Sequence, residues 1–177
     1  MKMRFLLPLI FFLFLVAVLW RGLGLHPNQI PSPLVDKPAP AFQLQTLANP
    51  KKMTSNKDFI GHVTLVNVWA TWCFSCAEEH DFLLNLIKKE NLFLYGLNYK
   101  DDPIAAKDWL KKRGNPYNII ASDETGSVAI DWGVYGTPET FVVDKKGIIR
   151  YKHIGAITAD IWEKDLQPLV NKLRGES

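Results

Sequence analysis

Apolar residues fall along this chain in three kinds of run. Residues 5–20 are apolar throughout, bounded by Arg4 and Arg21. Short blocks rich in β-branched and aromatic residues follow at 41–47, 63–70, 92–98, 117–121, 140–144 and 148–154, and read as strands. Between them, 77–89, 104–113, 127–131 and 160–174 read as helices. The block at 63–70 is nearly continuous, as a strand buried on both faces requires, and 92–98 reads as its parallel neighbour. Punctuation agrees with this division. Asn49 to Lys52 makes a turn after which Met53 and Thr54 pair back on the first strand, and 56–60 is a short helical turn. Asp102-Pro103 suits a helix start and Gly114 its end; Gly133 ends the next short helix. Lys145 to Gly147 joins the last two strands as a hairpin. Pro168 inside the final helix predicts a kink or break, although Trp162, Leu166, Leu169, Val170 and Leu173 share one face.

The first apolar run is short for a membrane span, but Leu23 and Leu25 extend it and Arg21 can snorkel. It predicts a transmembrane anchor over 5–25; a cleaved signal peptide is the alternative, without a clear A-x-A site. Lys2 and Arg4 precede the run, and after Arg21 the next positive charge is Lys37, so residues 1–4 are expected in the cytoplasm and the rest outside it. In a bacterium that means an inner-membrane protein with a periplasmic domain, in an oxidising compartment. Five prolines in 26–40 predict an extended linker, leaving 41–177 as the domain.

Composition excludes more than it identifies. The net charge is +3, and Lys2, Arg4 and Arg21 equal that excess, so the remainder is balanced. No basic stripe interleaved with aromatics marks a nucleic-acid surface. Both cysteines of the chain lie in Trp72-Cys73-Phe74-Ser75-Cys76, between the central strand and a helix. That layout is a thiol–disulfide redox centre. Cys73 falls where free backbone N–H groups and the helix dipole favour an anion, worth up to ~2 kcal/mol or roughly 1.5 pKa units. Cys76, almost a turn further, can resolve a mixed disulfide formed by Cys73. A structural zinc site would need two more ligands, and haem attachment would need His at position 77, which is Ala. A static disulfide remains the other reading, though so small a loop gains little closure entropy.

On a helical wheel Cys76, Phe82, Leu83 and Leu86 gather on one side of the helix after the motif, with Glu79 in their middle. A carboxyl there should have a raised pKa and be able to exchange a proton with a thiol, unless it bends to solvent or pairs with a lysine. His80 beside it reads as structural.

A βαβ unit bearing W-C-x-x-C, a second helix, a β-hairpin and a terminal helix resemble the thioredoxin fold, here with an N-terminal β extension. Thr137-Pro138 matches that fold's proline, cis and facing the cysteines, whose preceding residue offers its backbone to an extended substrate. Gly96 to Asp102, Gly114 to Tyr117, Gly133-Val-Tyr-Gly-Thr-Pro-Glu-Thr-Phe141 and Gly147 to His153 follow one another as in the CcmG/DsbE proteins of cytochrome c maturation. The resemblance covers nearly the whole chain. It implies an anchored periplasmic reductant that keeps apocytochrome c thiols reduced, directly or through another thiol protein, and is recharged by a membrane electron-donor protein. No metal or organic cofactor is implied.

Thioredoxin has a buried Asp on its central strand where this chain has Asn67. Asn cannot exchange a proton, which leaves Glu79 and Glu139, both at positions typically acidic in the resembled family. Trp72 is expected to cap the motif, or simply to pack. The interior Phe74-Ser75 departs from the Pro-containing dipeptide common in the family. Two rivals stay open: a broader periplasmic disulfide reductase, and a non-catalytic apocytochrome-binding module. A thiol peroxidase would need an Arg near Cys73, and none is there.

Overall fold

The computed structural model of the chain describes residues 3–23 and 32–176, with side chains described at 8–22 and 32–176. It forms two units, Met1–Ile30 and Pro31–Ser177. In the first, α1 (Met3–Leu23) is a helix of 21 residues with Pro8 inside it. Among the described residues no helix is long and apolar enough to cross a membrane. The expected anchor at 5–25 includes side chains outside the described residues, as do positions 1–2 of the expected cytoplasmic tail and 26–31 of the expected linker.

In the second unit β3 (Thr64–Trp69) is buried at every position and is the middle of five strands. It runs parallel to β4 (Phe93–Tyr99), which is parallel to β5 (Ile119–Asp123). On its other side it is antiparallel to β6 (Glu139–Val143), which forms a hairpin with β7 (Ile149–Ile154). Alternation sends Leu65 and Trp69 of β3 to one face, with Leu94 and Val142. The core there includes Leu83 and Leu86 of α2 (Phe74–Lys89), and Ala106 and Leu110 of α3 (Pro103–Arg113). Val66 and Val68 face the other way, where Tyr95, Phe141, Trp132 and Phe59 pack with Val128 and Ala129 of α4 (Ser127–Asp131). The result is the expected thioredoxin-like mixed sheet between helices.

Both edges of this sheet are covered from the N-terminal side. β1 (Gln43–Gln45) and β2 (Met53–Ser55) pair antiparallel, and Leu47 donates its N–H to Ile120 O of β5 at 2.8 Å. A 3₁₀ turn follows at Asn56–Phe59. At the opposite edge, residues 32–40 correct the expectation of an extended spacer. Asp36 N–H donates to Ile149 O, Ile149 N–H to Lys37 O and Ala39 N–H to Gly147 O, at 2.7, 3.0 and 2.9 Å. An open β7 edge satisfies its backbone groups on this segment, so the folded unit begins before residue 41.

Most element boundaries move by a residue or two, and three of the shifts have a clear local reason. α2 starts at Phe74 rather than Ala77 because Cys73 serves as its N-cap. β5 starts at Ile119 rather than Tyr117 because Tyr117 turns its hydroxyl to Asn67, while Asn118 exchanges hydrogen bonds with the backbone of Leu94. The final helix is broken into α5 (Ala159–Ile161), one π turn (Trp162–Leu166) and α6 (Gln167–Gly175). Gln167 donates five residues back, to Trp162 O, just ahead of Pro168, which has no N–H to give.

Candidate functional site

The chain leaves β3 at Trp69 and reaches the first turn of α2 within a few residues. Cys73 and Cys76 are joined as a disulfide with Cα atoms 5.3 Å apart. Cys73 Sγ also accepts the N–H of Cys76 at 3.1 Å, so the sulfur takes one of the donors that a helix start leaves free. Both cysteines are buried, at 6% and 3% exposure, between Trp72 and Phe74, which are exposed at 58% and 77%.

Asp101 holds the approach to Cys73. Its carboxylate accepts Thr71 N–H at 2.7 Å, Thr71 Oγ1–H at 2.6 Å and Asn98 Nδ2–H at 2.9 Å. The Trp72 indole N–H donates to Lys100 O at 3.0 Å, so this ring is tied to the loop after β4 rather than lying free. Lys100 takes a φ of 45° to present that carbonyl.

Glu79 is where the wheel placed it, buried on the inner face of α2. Asn67 Nδ2–H donates to Oε1 and Ile157 N–H to Oε2, both at 2.8 Å. Asn67 in turn donates to Thr140 Oγ1 at 3.1 Å and accepts the Tyr117 hydroxyl proton at 2.8 Å. Burial pushes the Glu79 carboxyl up to about 7, against the two hydrogen bonds, which favour the anion. Tyr117 is pushed well up, by burial first and then by the Glu79 charge. His80 is held below its ordinary value by burial and sits against Gly114 O at 3.1 Å, which fits the structural reading. Gly96 leaves room for this network, since a Cβ there would stand 3.0 Å from both Trp69 Nε1 and the Tyr117 ring.

Glu139 lies on the opposite face of the sheet, as the neighbour of Thr140 in β6 must. Its Oε1 accepts Tyr135 N–H at 2.9 Å. Its Oε2 lies 2.9 Å from Lys152 Nζ in an ion pair whose two side chains are 1% and 2% exposed; the pair is electrostatic, since Oε2 accepts no well-aligned hydrogen bond. Thr137–Pro138 is a cis peptide bond, as the resemblance implies. The β3–β6 register ends at Val68↔Glu139, and one step further sets Pro138 beside Trp69, at the end of β3 from which the cysteine loop departs. Thr137 makes no backbone hydrogen bond among the described residues.

Comparison with known proteins agrees with this geometry. The Redoxin family model matches residues 34–168. The thiol:disulfide interchange protein DsbE of Allochromatium vinosum is 46% identical over 172 residues, covering 97% of this chain and 95% of that one. DsbE of Escherichia coli K12 is 42% identical, covering 97% and 96%. The chain belongs to the DsbE family. It is a thiol–disulfide oxidoreductase. Among solved structures, a secreted thiol-disulfide isomerase from Corynebacterium glutamicum superposes with a TM-score of 0.64 at 24% identity, over 75% of this chain and 85% of that one. A DsbF homologue from Corynebacterium diphtheriae gives 0.65 at 23%, over 77% and 87%. At that identity the likeness speaks for the fold.

Four residues of this DsbE-family site escaped the sequence reading: Thr71, Asp101, Tyr117 and Lys152. For Lys152 the signal appears only once the hairpin is paired. Glu139 pairs with Ile154 across the hairpin, so position 152 is the diagonal neighbour on the same face. A carboxylate at the buried start of a strand needs a cation there. Asp101 had no such signal, because a loop aspartate after a strand is ordinary.

Proposed function

We propose that Cys73 attacks a substrate disulfide as the thiolate and that Cys76 then displaces the substrate thiol, so that two electrons pass outward and Cys73–Cys76 is left oxidised. The observation carrying this assignment is the placement of Cys73 as the N-cap of α2, its sulfur already facing a backbone N–H. That N–H and the helix dipole would stabilise a Cys73 thiolate, and Cys76, less exposed and one turn in, is placed to attack a sulfur bound to Cys73. Glu79, titrating near neutrality on the same helix face as Cys76, is the proton-exchanging group. Thr137, with free backbone groups beside cis Pro138, docks an extended substrate strand, and Trp72 forms the exposed wall next to Cys73.

The substrate in this reading is the oxidised cysteine pair of apocytochrome c, met directly or through a partner thiol protein. The chain works from an inner-membrane anchor in the periplasm and is recharged by a membrane electron-donor protein. Support comes from the motif-by-motif resemblance to the cytochrome c maturation proteins and from the apolar run at 5–20. The test is a Cys76→Ala variant, which should accumulate a mixed disulfide through Cys73. Mass spectrometry of the trapped species should find apocytochrome c or a maturation thiol protein. Recovery of only unrelated secreted proteins would favour the broader reductase.

A further inference from the structure

Lys152 is a buried lysine whose ammonium is fully engaged within one short segment. Its Nζ donates to Gly133 O at 2.7 Å, pairs with Glu139 at 2.9 Å and lies 4.2 Å from the centre of the Tyr135 ring. Glu139 returns to the same segment by accepting Tyr135 N–H. A single ammonium–carboxylate pair therefore fastens residues 133, 135 and 139, which bracket Thr137 and Pro138. Residues 133–138 belong to no helix or strand, and Thr137 has no backbone bond of its own among the described residues to fix it.

Stability does not explain such a pair. Taking two charges out of water costs several kcal/mol per ion, and well-packed apolar replacements are often as stable or more so. What a buried pair supplies is a unique arrangement of the backbone around it. We propose that Lys152 is a positioning residue for peptide substrates: it holds the 133–137 segment so that the Thr137 backbone is presented to an extended chain entering beside Cys73. This deepens the docking reading given above and rests on it. The exposed Tyr135 ring, 65% accessible and seated over the ammonium, belongs to the same presented face. Because Lys152 acts through backbone placement, its effect should depend on whether the substrate has a backbone to bind.

The test uses the pre-reduced protein in single-turnover stopped flow. Two oxidants are compared: a synthetic peptide with an intramolecular C-x-x-C disulfide, and dithiobis-nitrobenzoate, which has no peptide strand. Lys152→Met alone leaves a buried unpaired carboxylate, so Lys152→Met/Glu139→Gln is the companion variant. It removes both charges and keeps an acceptor for Tyr135 N–H. The half-saturating peptide concentration should rise about tenfold in the companion variant, ~1.4 kcal/mol, relative to that for the small disulfide. The limiting rate with peptide should fall by no more than that with the small disulfide, since any contribution of Glu139 to the thiol chemistry acts on both oxidants alike. An unchanged peptide half-saturation would overturn the proposal, as would an equal rise in half-saturation with both oxidants. If the unsubstituted protein showed no tighter saturation with peptide than with the small disulfide, the docking reading would itself fall, visibly and before any substitution.

Discussion

Two glutamates are buried on opposite faces of one sheet, and the protein solves the same electrostatic problem in two ways. Glu139, on the face shared with Phe141 and Trp132, is given a cation. Glu79, on the face shared with Trp69 and Leu83, is given two neutral N–H donors and, among the described residues, no cation within salt-bridge reach. A cation holds a carboxylate in one state; neutral donors balanced against desolvation leave it poised between two. A charge that must stay fixed so that a loop keeps its shape should look like Glu139. One that must gain and lose a proton near neutral pH should look like Glu79. On the function proposed above, the difference fits positioning for one and proton exchange for the other, although the sequence presents them as equivalent.

Breaking the ion pair tests the first half of this contrast and should have the largest effect. Lys152→Met leaves Glu139 charged and unpaired at 1% side-chain exposure, at an expected cost of about 3–5 kcal/mol in urea unfolding. Adding Glu139→Gln should return most of that loss, since no buried charge remains. A single variant within about 1 kcal/mol of the parent would mean that the pair is more hydrated than its burial implies.

The second half is tested by pH. Folded, Glu79 titrates at about 7; unfolded, at 4.5. Between those values the native state binds the extra proton, so stability falls as pH rises through the window and is flat beyond it. The full drop is ~3 kcal/mol at 1.36 kcal/mol per unit. Glu79→Gln cannot titrate, so its profile should lack the drop. Subtracting it from the parent's removes the opposite slope of His80 and His153, whose burial-lowered values make stability rise with pH. Identical slopes for the two proteins between pH 5 and 7 would remove Glu79 from any proton-exchange role.

Glu79 was legible in the sequence and Lys152 was not, and the reason is periodic. A helix repeats every 3.6 residues, so a carboxylate inside an apolar stripe is out of place and visible. A short hairpin strand offers only alternation, which in sequence would put Arg150, Lys152 and Ile154 on one side and Ile149, Tyr151 and His153 on the other, whereas the bulge at Val142/Val143 turns Ile149 to the Lys152 side. Nothing in that pattern says that one side is buried until β6 is laid against it. The cysteine motif and the parallel strands are marked locally by spacing and hydrophobic pattern, whereas Thr137-Pro138 is picked out only by the resemblance to the thioredoxin fold. Residues 32–40 were misread for the complementary reason: prolines are permitted both in an extended spacer and along a sheet edge, and composition does not separate the two.

The finest adjustment of the contrast lies in Tyr117. Its hydroxyl donates to Asn67 Oδ1, and the same amide donates to Glu79 Oε1. A donor at the amide oxygen polarises the amide and strengthens its N–H bond to the carboxylate, so the two bonds support one another. Tyr117→Phe removes the hydroxyl and keeps the ring stacked on Trp69. The direct cost should be about 1 kcal/mol, because Asn67 Oδ1 is left without its donor. The informative change is smaller. With a weaker bond from Asn67, the Glu79 carboxyl should titrate slightly higher, although the variant loses no charged group. Carbon-13 NMR of the Glu79 carboxyl reads this directly. A downward movement would show that the Tyr117 hydroxyl opposes the anion rather than supporting it through Asn67, and the chain of bonds drawn here would have to be reversed.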